Sequence, residues 1–196
     1  PVASVWIDGS GERTILSTDN KRSSVQAKPH LISMDGVTAV LLDGHYPKLQ
    51  ISLAQAAVDA GVPIVLDGGR WRTVFAELLR LATDLIMTAT FRPPGLDGTA
   101  TGDAVTAIRD EYGLALCAAS RGPEPLLIAG EAGIVEIGVP QVDVVDTTGA
   151  GDVLHGAYLH HRYGTGLAAP EALRLAAVAA SASCGALGAR KLTDSE

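Results

Sequence analysis

Short apolar runs alternate with stretches of helical periodicity along most of this chain. Residues 37–44 (VTAVLLDG) form an apolar run, and residues 48–61 follow with helical spacing and stop at Gly61, a typical helix end. The alternation predicts βαβ units and a mostly parallel sheet with helices on both faces. Further apolar runs lie at 62–69, 83–89 and 114–120, and further helical patterns at 73–82, 102–113, 152–164 and 170–188.

Three other segments have strand character outside this alternation. Ser4–Ile7 and Arg13–Leu16 flank Asp-Gly-Ser-Gly, which is typical of a hairpin, and residues 125–138 predict a second hairpin. Residues 141–146 (QVDVVD) are rich in β-branched side chains and predict one further strand. We expect residues 1–35 to form two lid strands with a connecting loop, and residues 36–196 to form one α/β core.

Composition narrows the class of protein. The 196 residues are 47% hydrophobic and 19% charged, as in a packed globular protein, and the net charge of −7 without a Lys/Arg block argues against a nucleic-acid partner. No apolar run approaches the ~18 residues of a membrane span. Cys117 and Cys184 lie far apart without metal-ligand spacing, so we predict a soluble, cytoplasmic protein.

The segment 144–158 (VVDTTGAGDVLHGAY) places Gly149, Ala150 and Gly151 between an apolar run and a helical pattern. The amides of a helix N-terminus can donate to a phosphoryl oxygen, and glycine allows close approach. Asp152, ionised beside that site, can accept a hydroxyl proton during phosphoryl transfer. A turn capped by Asp152 explains the same residues, and the residues alone leave both interpretations open.

Other sequence patterns exclude two nucleotide-binding motifs and indicate candidate histidines. A P-loop is excluded because no Gly-Lys pair occurs, and no GxGxxG opens a βαβ unit. His160 and His161 are adjacent on a helix and point about 100° apart, which makes a poor metal pair. His45 follows a strand end and is a candidate for substrate contact. His155, one turn after Asp152, is a candidate for contact with the site, although packing is the favoured role.

Asp67 also follows a predicted strand, within residues 65–71 (VLDGGRW). A carboxylate at this edge of the sheet is a candidate for the site, because open α/β sheets bind ligands beyond the carboxyl ends of their strands. Asp is equally common as a helix cap and turn former, and we slightly favour that role for Asp67.

Residues 146–152 (DTTGAGD) resemble the C-terminal signature of the ribokinase-like (PfkB-type) carbohydrate kinases. The resemblance favours the ketohexokinase-like branch and covers essentially the whole chain. It implies a three-layer α/β sandwich with a mostly parallel sheet and a small β-lid hairpin. The other matching segments are 11–17 (GERTILS), 40–47 (VLLDGHYP), 65–71 (VLDGGRW), 117–128 (CAASRGPEPLLI) and 181–192 (SASCGALGARKL).

The resemblance implies an ATP-dependent kinase that phosphorylates a hydroxymethyl group of a sugar, with Mg²⁺ as cofactor. By position, Asp152 is the catalytic base that faces the substrate hydroxyl, and Gly149, Ala150 and Gly151 form the anion hole. Asp146 and Thr148 match positions that hold a monovalent cation such as K⁺. The nucleotide-binding positions are Arg13, a lid arginine that reaches the phosphates; Ser120, Arg121, Gly122 and Thr148 beside ATP; and Gly185 and Gly188 near the adenine.

The sequence departs from the family pattern at three places. The glycine-rich N-terminal portion that carries most sugar-binding residues is not recognisable, and Pro125 replaces the last glycine of the Thr-x-Gly-x-x-Gly turn. The Asn-x-x-Glu motif that organises magnesium corresponds to residues 88–91 (TATF), without Glu, so Mg²⁺ would be held through waters and ATP phosphates. Two alternatives therefore stay open: a non-catalytic nucleotide- or sugar-phosphate-binding protein, and a nucleoside kinase.

Lid hairpins of this family often pair between subunits. The resemblance therefore also predicts a homodimer, formed through the strands within Ser4–Leu16.

Overall fold

The computed structural model describes the backbone of residues 3–7 and 13–17, and both backbone and side chains of residues 32–130 and 133–188. The strands are β1 (Ala3–Ile7), β2 (Arg13–Ser17), β3 (Val40–Leu42), β4 (Ile64–Gly68), β5 (Asp84–Thr88), β6 (Leu116–Arg121), β7 (Glu124–Gly130) and β8 (Gly133–Ile137). The helices are α1 (Pro47–Asp59), α2 (Phe75–Leu81), α3 (Thr101–Tyr112), α4 (Ala150–Leu159) and α5 (Ala169–Cys184).

Strands β3 to β8 form one six-stranded sheet in the order β3-β4-β5-β6-β7-β8. Strands β3 to β6 are parallel, whereas β7 and β8 are antiparallel. The crossovers α1, α2 and α3 each connect parallel neighbours, as the alternating pattern predicted. The predicted α/β fold is confirmed, and the hairpin predicted for residues 125–138 is present as β7 and β8.

The N-terminal hairpin is also confirmed at the level of the backbone. Strands β1 and β2 pair antiparallel, from Ala3 opposite Ser17 to Ile7 opposite Arg13. Arg13, predicted to be a lid arginine, is the first residue of β2, and its side chain lies outside the described residues. The polar connection at 18–31 also lies outside them.

Two apolar cores lie on opposite faces of the sheet because successive strand residues point to opposite sides. Leu66, Leu85 and Cys117 pack on the face covered by α1, α2 and α3. Val65 and Ile86 pack on the face covered by α4 and α5. Among the described helices, none is long and apolar enough to cross a bilayer.

The strand predicted for residues 141–146 is wrong. The segment runs without strand pairing, and Val144 and Val145 are 64% and 60% exposed. The amides of Val145 and Asp146 instead donate to the Cys184 carbonyl, at 2.8 and 3.1 Å. β-Branched composition favours extended backbone, but a strand also needs a neighbouring strand to pair with, and the end of α5 takes that place here.

The helix predicted for residues 152–164 begins earlier and changes form. Helix α4 begins at Ala150, and residues His160–Gly164 continue it as a π-helical turn. That turn brings Tyr163 beside Tyr158, and both hydroxyls donate to Asp84 at the start of β5, at 2.5 and 2.8 Å. We call Asp84, Tyr158 and Tyr163 the tyrosine–aspartate cluster. Burial raises the pKa of Asp84, although the tyrosine hydrogen bonds act to lower it.

Candidate active site

Residues 146–152, here named the glycine loop, form the start of α4. Gly149 is the N-cap residue with φ of +81°, a left-handed conformation that favours glycine. The first hydrogen bond of the helix runs from the Val153 amide to the Gly149 carbonyl at 2.9 Å. The amides of Gly151 and Asp152 precede it, in the turn where helix geometry leaves N–H groups without an intrahelical acceptor. The Ala150 amide, in contrast, donates to the Thr147 carbonyl at 3.2 Å.

Gly151 differs from Gly149 in what requires a glycine there. Its backbone is helical, and a Cβ added to it would meet nothing within 4 Å. Neither the backbone nor the packing therefore explains this glycine, whereas a ligand placed against the loop would.

Asp146 fixes the glycine loop to the end of the described chain. Its Oδ1 accepts from the Thr148 amide at 2.8 Å, and its Oδ2 accepts from the Gly188 amide at 3.1 Å. Gly185 ends α5, with its amide donating to Ala182. The structure thus brings together four of the predicted site residues, Asp146, Thr148, Gly185 and Gly188, beside Gly149 and Gly151.

Asp152 is exposed in the first turn of α4. The charge of Asp152 acts on Asp67, which lies at the end of β4. Burial raises the pKa of Asp67; the charges of Asp152 and Asp43 act in the same direction, while those of His155 and His45 act to lower it. The carboxyl edge of the sheet therefore gathers two carboxylates and two imidazoles around Asp67. The Asp67 side chain does not cap α2, whose N-cap is Val74 without a side-chain hydrogen bond.

His155 is buried beneath the glycine loop, with 5% of its surface exposed. Its Nδ1 lies 2.7 Å from the Gly151 carbonyl oxygen, and its Nε2 lies 3.1 Å from that of Ile86. The nearest Asp67 carboxylate oxygen is 3.7 Å from Nε2. His155 therefore packs in the interior, as the sequence favoured, and its ring also lies against the glycine loop.

His45 lies at the same edge, in the loop after β3. Its Nδ1 is 2.8 Å from the Asp43 carboxylate, and two guanidinium nitrogens of Arg72 lie 3.3 and 2.9 Å from its ring nitrogens. Burial acts to raise the pKa of Asp43, but hydrogen bonds from the His45 amide and the Gln50 side chain hold that pKa below its usual value. His45 is half-exposed, so its predicted contact with substrate is sterically open.

A cleft of about 690 Å³ opens where β5 and β6 end and α3 begins. The predicted nucleotide-side residues Ser120, Arg121 and Gly122 line it together with Thr88, Ala89 and Thr101. The glycine loop is not part of its wall.

The guanidinium of Arg121 is already engaged within the β7–β8 hairpin. It donates to the Pro125 carbonyl at 2.8 Å and pairs with Glu124 at 3.1 Å and Glu136 at 3.4 Å. Arg121 therefore braces the hairpin turn at the mouth of the cleft.

Sequence reasoning missed Arg92. Its guanidinium donates to the carbonyls of Ala89, Phe91 and Thr99 and to the Thr101 hydroxyl, at 2.8 to 3.3 Å. Within the described ranges it has no carboxylate partner, so a positive charge with only neutral acceptors lies beside the cleft. A lone arginine in a Pro- and Gly-rich loop was the available signal.

Known proteins resemble this chain both in sequence and in fold. A family model described as pfkB family carbohydrate kinase matches residues 5–195. The chain therefore belongs to the pfkB family of carbohydrate kinases, which confirms the family predicted from residues 146–152.

Among curated proteins, the chain is 30% identical over 193 residues to a ribokinase from Arabidopsis thaliana, covering 91% of this chain and half the length of that relative. A solved Agrobacterium tumefaciens protein assigned as a ribokinase superposes with a TM-score of 0.80 at 25% identity, covering 96% of this chain and 63% of the other. An Escherichia coli protein assigned as ribokinase II, solved with ATP and Mg²⁺, gives a TM-score of 0.74 at 17% identity, covering 95% and 66%.

Proposed function

We propose that this protein transfers the γ-phosphoryl group of ATP to a hydroxymethyl group of a sugar or sugar-like substrate. The observation that carries the proposal is the glycine loop. No atom lies within 4 Å of the position that a Cβ of Gly151 would occupy, and the exposed carboxylate of Asp152 follows directly in the chain. Family membership supports it, as do a ribokinase relative and a similarly folded protein solved with ATP and Mg²⁺.

In this proposal Asp152 accepts the proton of the attacking hydroxyl. The amides of Gly149, Ala150 and Gly151 donate to the phosphoryl oxygens as their charge redistributes, and fixed donors of this kind are usually the largest contribution to catalysis. The Gly151 amide is the best placed of the three, because the Ala150 amide is partly engaged with Thr147.

The cleft fits a nucleotide by its chemistry. Its wall carries the hydroxyls of Thr88, Thr101 and Ser120, and the uncompensated charge of Arg92 lies beside it and favours a polyanion. Gly185 and Gly188 would lie on the adenine side of the bound nucleotide. Arg13 keeps its proposed role at the phosphates, although its side chain lies outside the described residues.

The described residues offer few protein ligands for a metal ion. Within the described residues, no group of three His, Cys, Asp or Glu side chains has metal-binding geometry, so Mg²⁺ would be held mainly by ATP phosphates and waters. When bound, Mg²⁺ neutralises phosphate charge. K⁺ binding by Asp146 and Thr148 stays a prediction, and both carboxylate oxygens of Asp146 already accept backbone amides.

Two similarities favour different classes of sugar substrate. The resemblance to the ketohexokinase-like branch favours a ketose, whereas the ribokinase relative favours a pentose. His45 and Arg72, at the exposed edge beside β3, are the described residues proposed to contact it. A homodimer formed through the lid strands and a cytoplasmic location stay predictions.

The test measures phosphorylated product by ³¹P NMR and ADP release with ATP, Mg²⁺ and a panel of ketoses, aldopentoses and nucleosides. We expect Asp152→Asn to lower turnover by about 10³-fold or more, as loss of a base does in enzymes of this kind. Asp103→Asn is the matched control, because Asp103 is also exposed at the third position of a helix, after a glycine.

Equal turnover in the wild type and Asp152→Asn would remove Asp152 as the base. Binding of ATP without turnover on any member of the panel would favour the non-catalytic alternative, which the missing Glu at residues 88–91 motivates. Turnover on nucleosides alone would assign the protein as a nucleoside kinase.

A further inference from the structure

The ring of His155 faces a carbonyl oxygen at each of its two nitrogens. Nδ1 lies 2.7 Å from the oxygen of Gly151, and Nε2 lies 3.1 Å from that of Ile86. A carbonyl oxygen only accepts hydrogen bonds, so each ring nitrogen must donate. A neutral imidazole carries one N–H, and only the imidazolium carries two. The geometry therefore selects the doubly protonated ring.

A buried cation needs hydrogen bonds and an opposite charge. Asp67 provides the charge, with its carboxylate oxygen 3.7 Å from Nε2 of His155. The other charges that act on Asp67 are those of Asp152 on α4 and of Asp43 and His45 in the loop after β3. From β5, the group that faces the ring is the Ile86 carbonyl, which is uncharged.

The three contacts of His155 come from three elements that meet at the carboxyl edge of the sheet. Asp67 belongs to β4, and Ile86 lies directly opposite it on β5. Gly151 belongs to the glycine loop and precedes Asp152. One ring thus joins two neighbouring strands to the part of the loop that carries the free amide and the exposed carboxylate.

We propose that His155 is a positioning residue: its doubly protonated ring clamps the Gly151 carbonyl, and with it Asp152, to strands β4 and β5, while Asp67 stabilises the charged ring. The catalytic consequence rests on the proposed kinase function, whereas the clamp itself is a property of the folded chain. The proposal separates His155 from a residue that only fills space.

The first test is independent of activity. Long-range ¹H–¹⁵N correlations of the protein labelled at histidine, with the His155 signals assigned through His155→Gln, should show both ring nitrogens protonated at neutral pH. Asp67→Asn should return the ring to a neutral tautomer, and His160, which is exposed, is the internal control. A ring with one unprotonated nitrogen in the wild type would overturn the clamp.

The second test measures the loop. Hydrogen exchange at the Val153 amide, which donates to the Gly149 carbonyl, should be at least about 10-fold faster in His155→Gln and Asp67→Asn, because local opening loses the clamp, while amides within α5 stay unchanged. Unchanged exchange at Val153 in both variants would show that the ring only fills space.

The third test uses turnover. His155→Asn keeps a donor near the Nδ1 position and His155→Gln keeps one near Nε2, and both are neutral. We expect each to lower kcat about 10- to 100-fold with KM for ATP nearly unchanged, since a displaced catalytic group costs rate rather than binding. Normal kcat in both variants would overturn the positioning role. A charged ring and protected loop without any turnover would instead overturn the proposed function and leave the clamp intact.

Discussion

Two polar contacts join α4 to β5, one from the middle of the helix and one from its C-terminal end. At the amino edge of the sheet, Asp84 accepts two tyrosine hydroxyls, from Tyr158 and from the π-helical turn. Two residues further along β5, in the middle of the strand, the Ile86 carbonyl faces the ring of His155, one helical turn before Tyr158. The two contacts share one helix face and one strand face.

The difference between them lies in what surrounds the charged group. In the tyrosine–aspartate cluster, Asp84 and Tyr158 are enclosed, at 1% and 0% exposure, and Tyr163 is partly buried. The His155 contact adjoins the open space in front of Gly151 and the exposed Asp152. An enclosed network that satisfies its own members contributes to stability, whereas one that borders open space can act on a ligand. One end of α4 therefore anchors the helix, and the other presents the candidate site.

The largest effect is expected at the enclosed end. Asp84→Ala leaves the buried Tyr158 hydroxyl and the partly buried Tyr163 hydroxyl without their acceptor, and a buried unsatisfied group costs about 1–3 kcal/mol. We expect the free energy of unfolding in urea to fall by about 3 kcal/mol. The exposed Asp97→Ala is the control. A loss no greater than that of the control would show that the cluster does not anchor α4.

The open end is tested by a pair of glycines on the same helix. A Cβ at Gly151 or at Gly156 meets nothing within 4 Å, so Gly→Ala should leave stability unchanged or raise it by up to about 1 kcal/mol at both positions. Turnover of ATP should fall about 10- to 100-fold in Gly151→Ala alone, because the methyl group occupies the space proposed for the phosphoryl group. Equal turnover in both variants would contradict the anion-hole assignment.

A smaller change separates the two tyrosines of the enclosed end. Tyr163→Phe removes one donor and leaves Tyr158 bonded to Asp84, so the unfolding free energy should fall by about 1 kcal/mol with kcat unchanged. Denaturation and turnover measured on the same preparation provide the check. A fall in kcat would mean that the two ends of α4 are not independent.

The smallest expected effect concerns pH. Burial raises the pKa of Asp84 above its ordinary value of 3.8, so the folded chain binds that proton more tightly than the unfolded chain. The contribution of Asp84 to stability therefore falls as pH rises from about 3.8 through the raised pKa, and then levels off. Relative to wild type, Asp84→Asn should become less destabilising over that window. Parallel stability curves would argue against the raised pKa.

Much of the fold was predictable because its signals are local. The alternating patterns placed β3 to β6 and their crossover helices, and Gly61 and Gly113 follow α1 and α3 in the left-handed conformation that ends a helix. The strand predicted at 141–146 failed because strand formation depends on a neighbour, which local composition does not encode. The π-helical turn after Leu159 likewise depends on packing around Asp84.

The candidate site divides in the same way. The glycine loop was predictable because backbone conformation and glycine content are encoded in seven consecutive residues. The contacts of His155 with Asp67 and Ile86 were not, since they join residues 69 to 88 positions apart. Arg92 was missed because three of its four acceptors are backbone carbonyls, which any sequence provides.

The two cysteines differ in their accessibility to thiol reagents. Burial raises the pKa of the Cys117 thiol to about 12, which keeps it inert, whereas Cys184 is only half-buried. The Cys184 carbonyl accepts the amides of Val145 and Asp146, at the root of the glycine loop. A thiol-directed fluorophore would therefore label one position without any engineered cysteine, and its emission would follow loop occupancy in real time during ligand titrations.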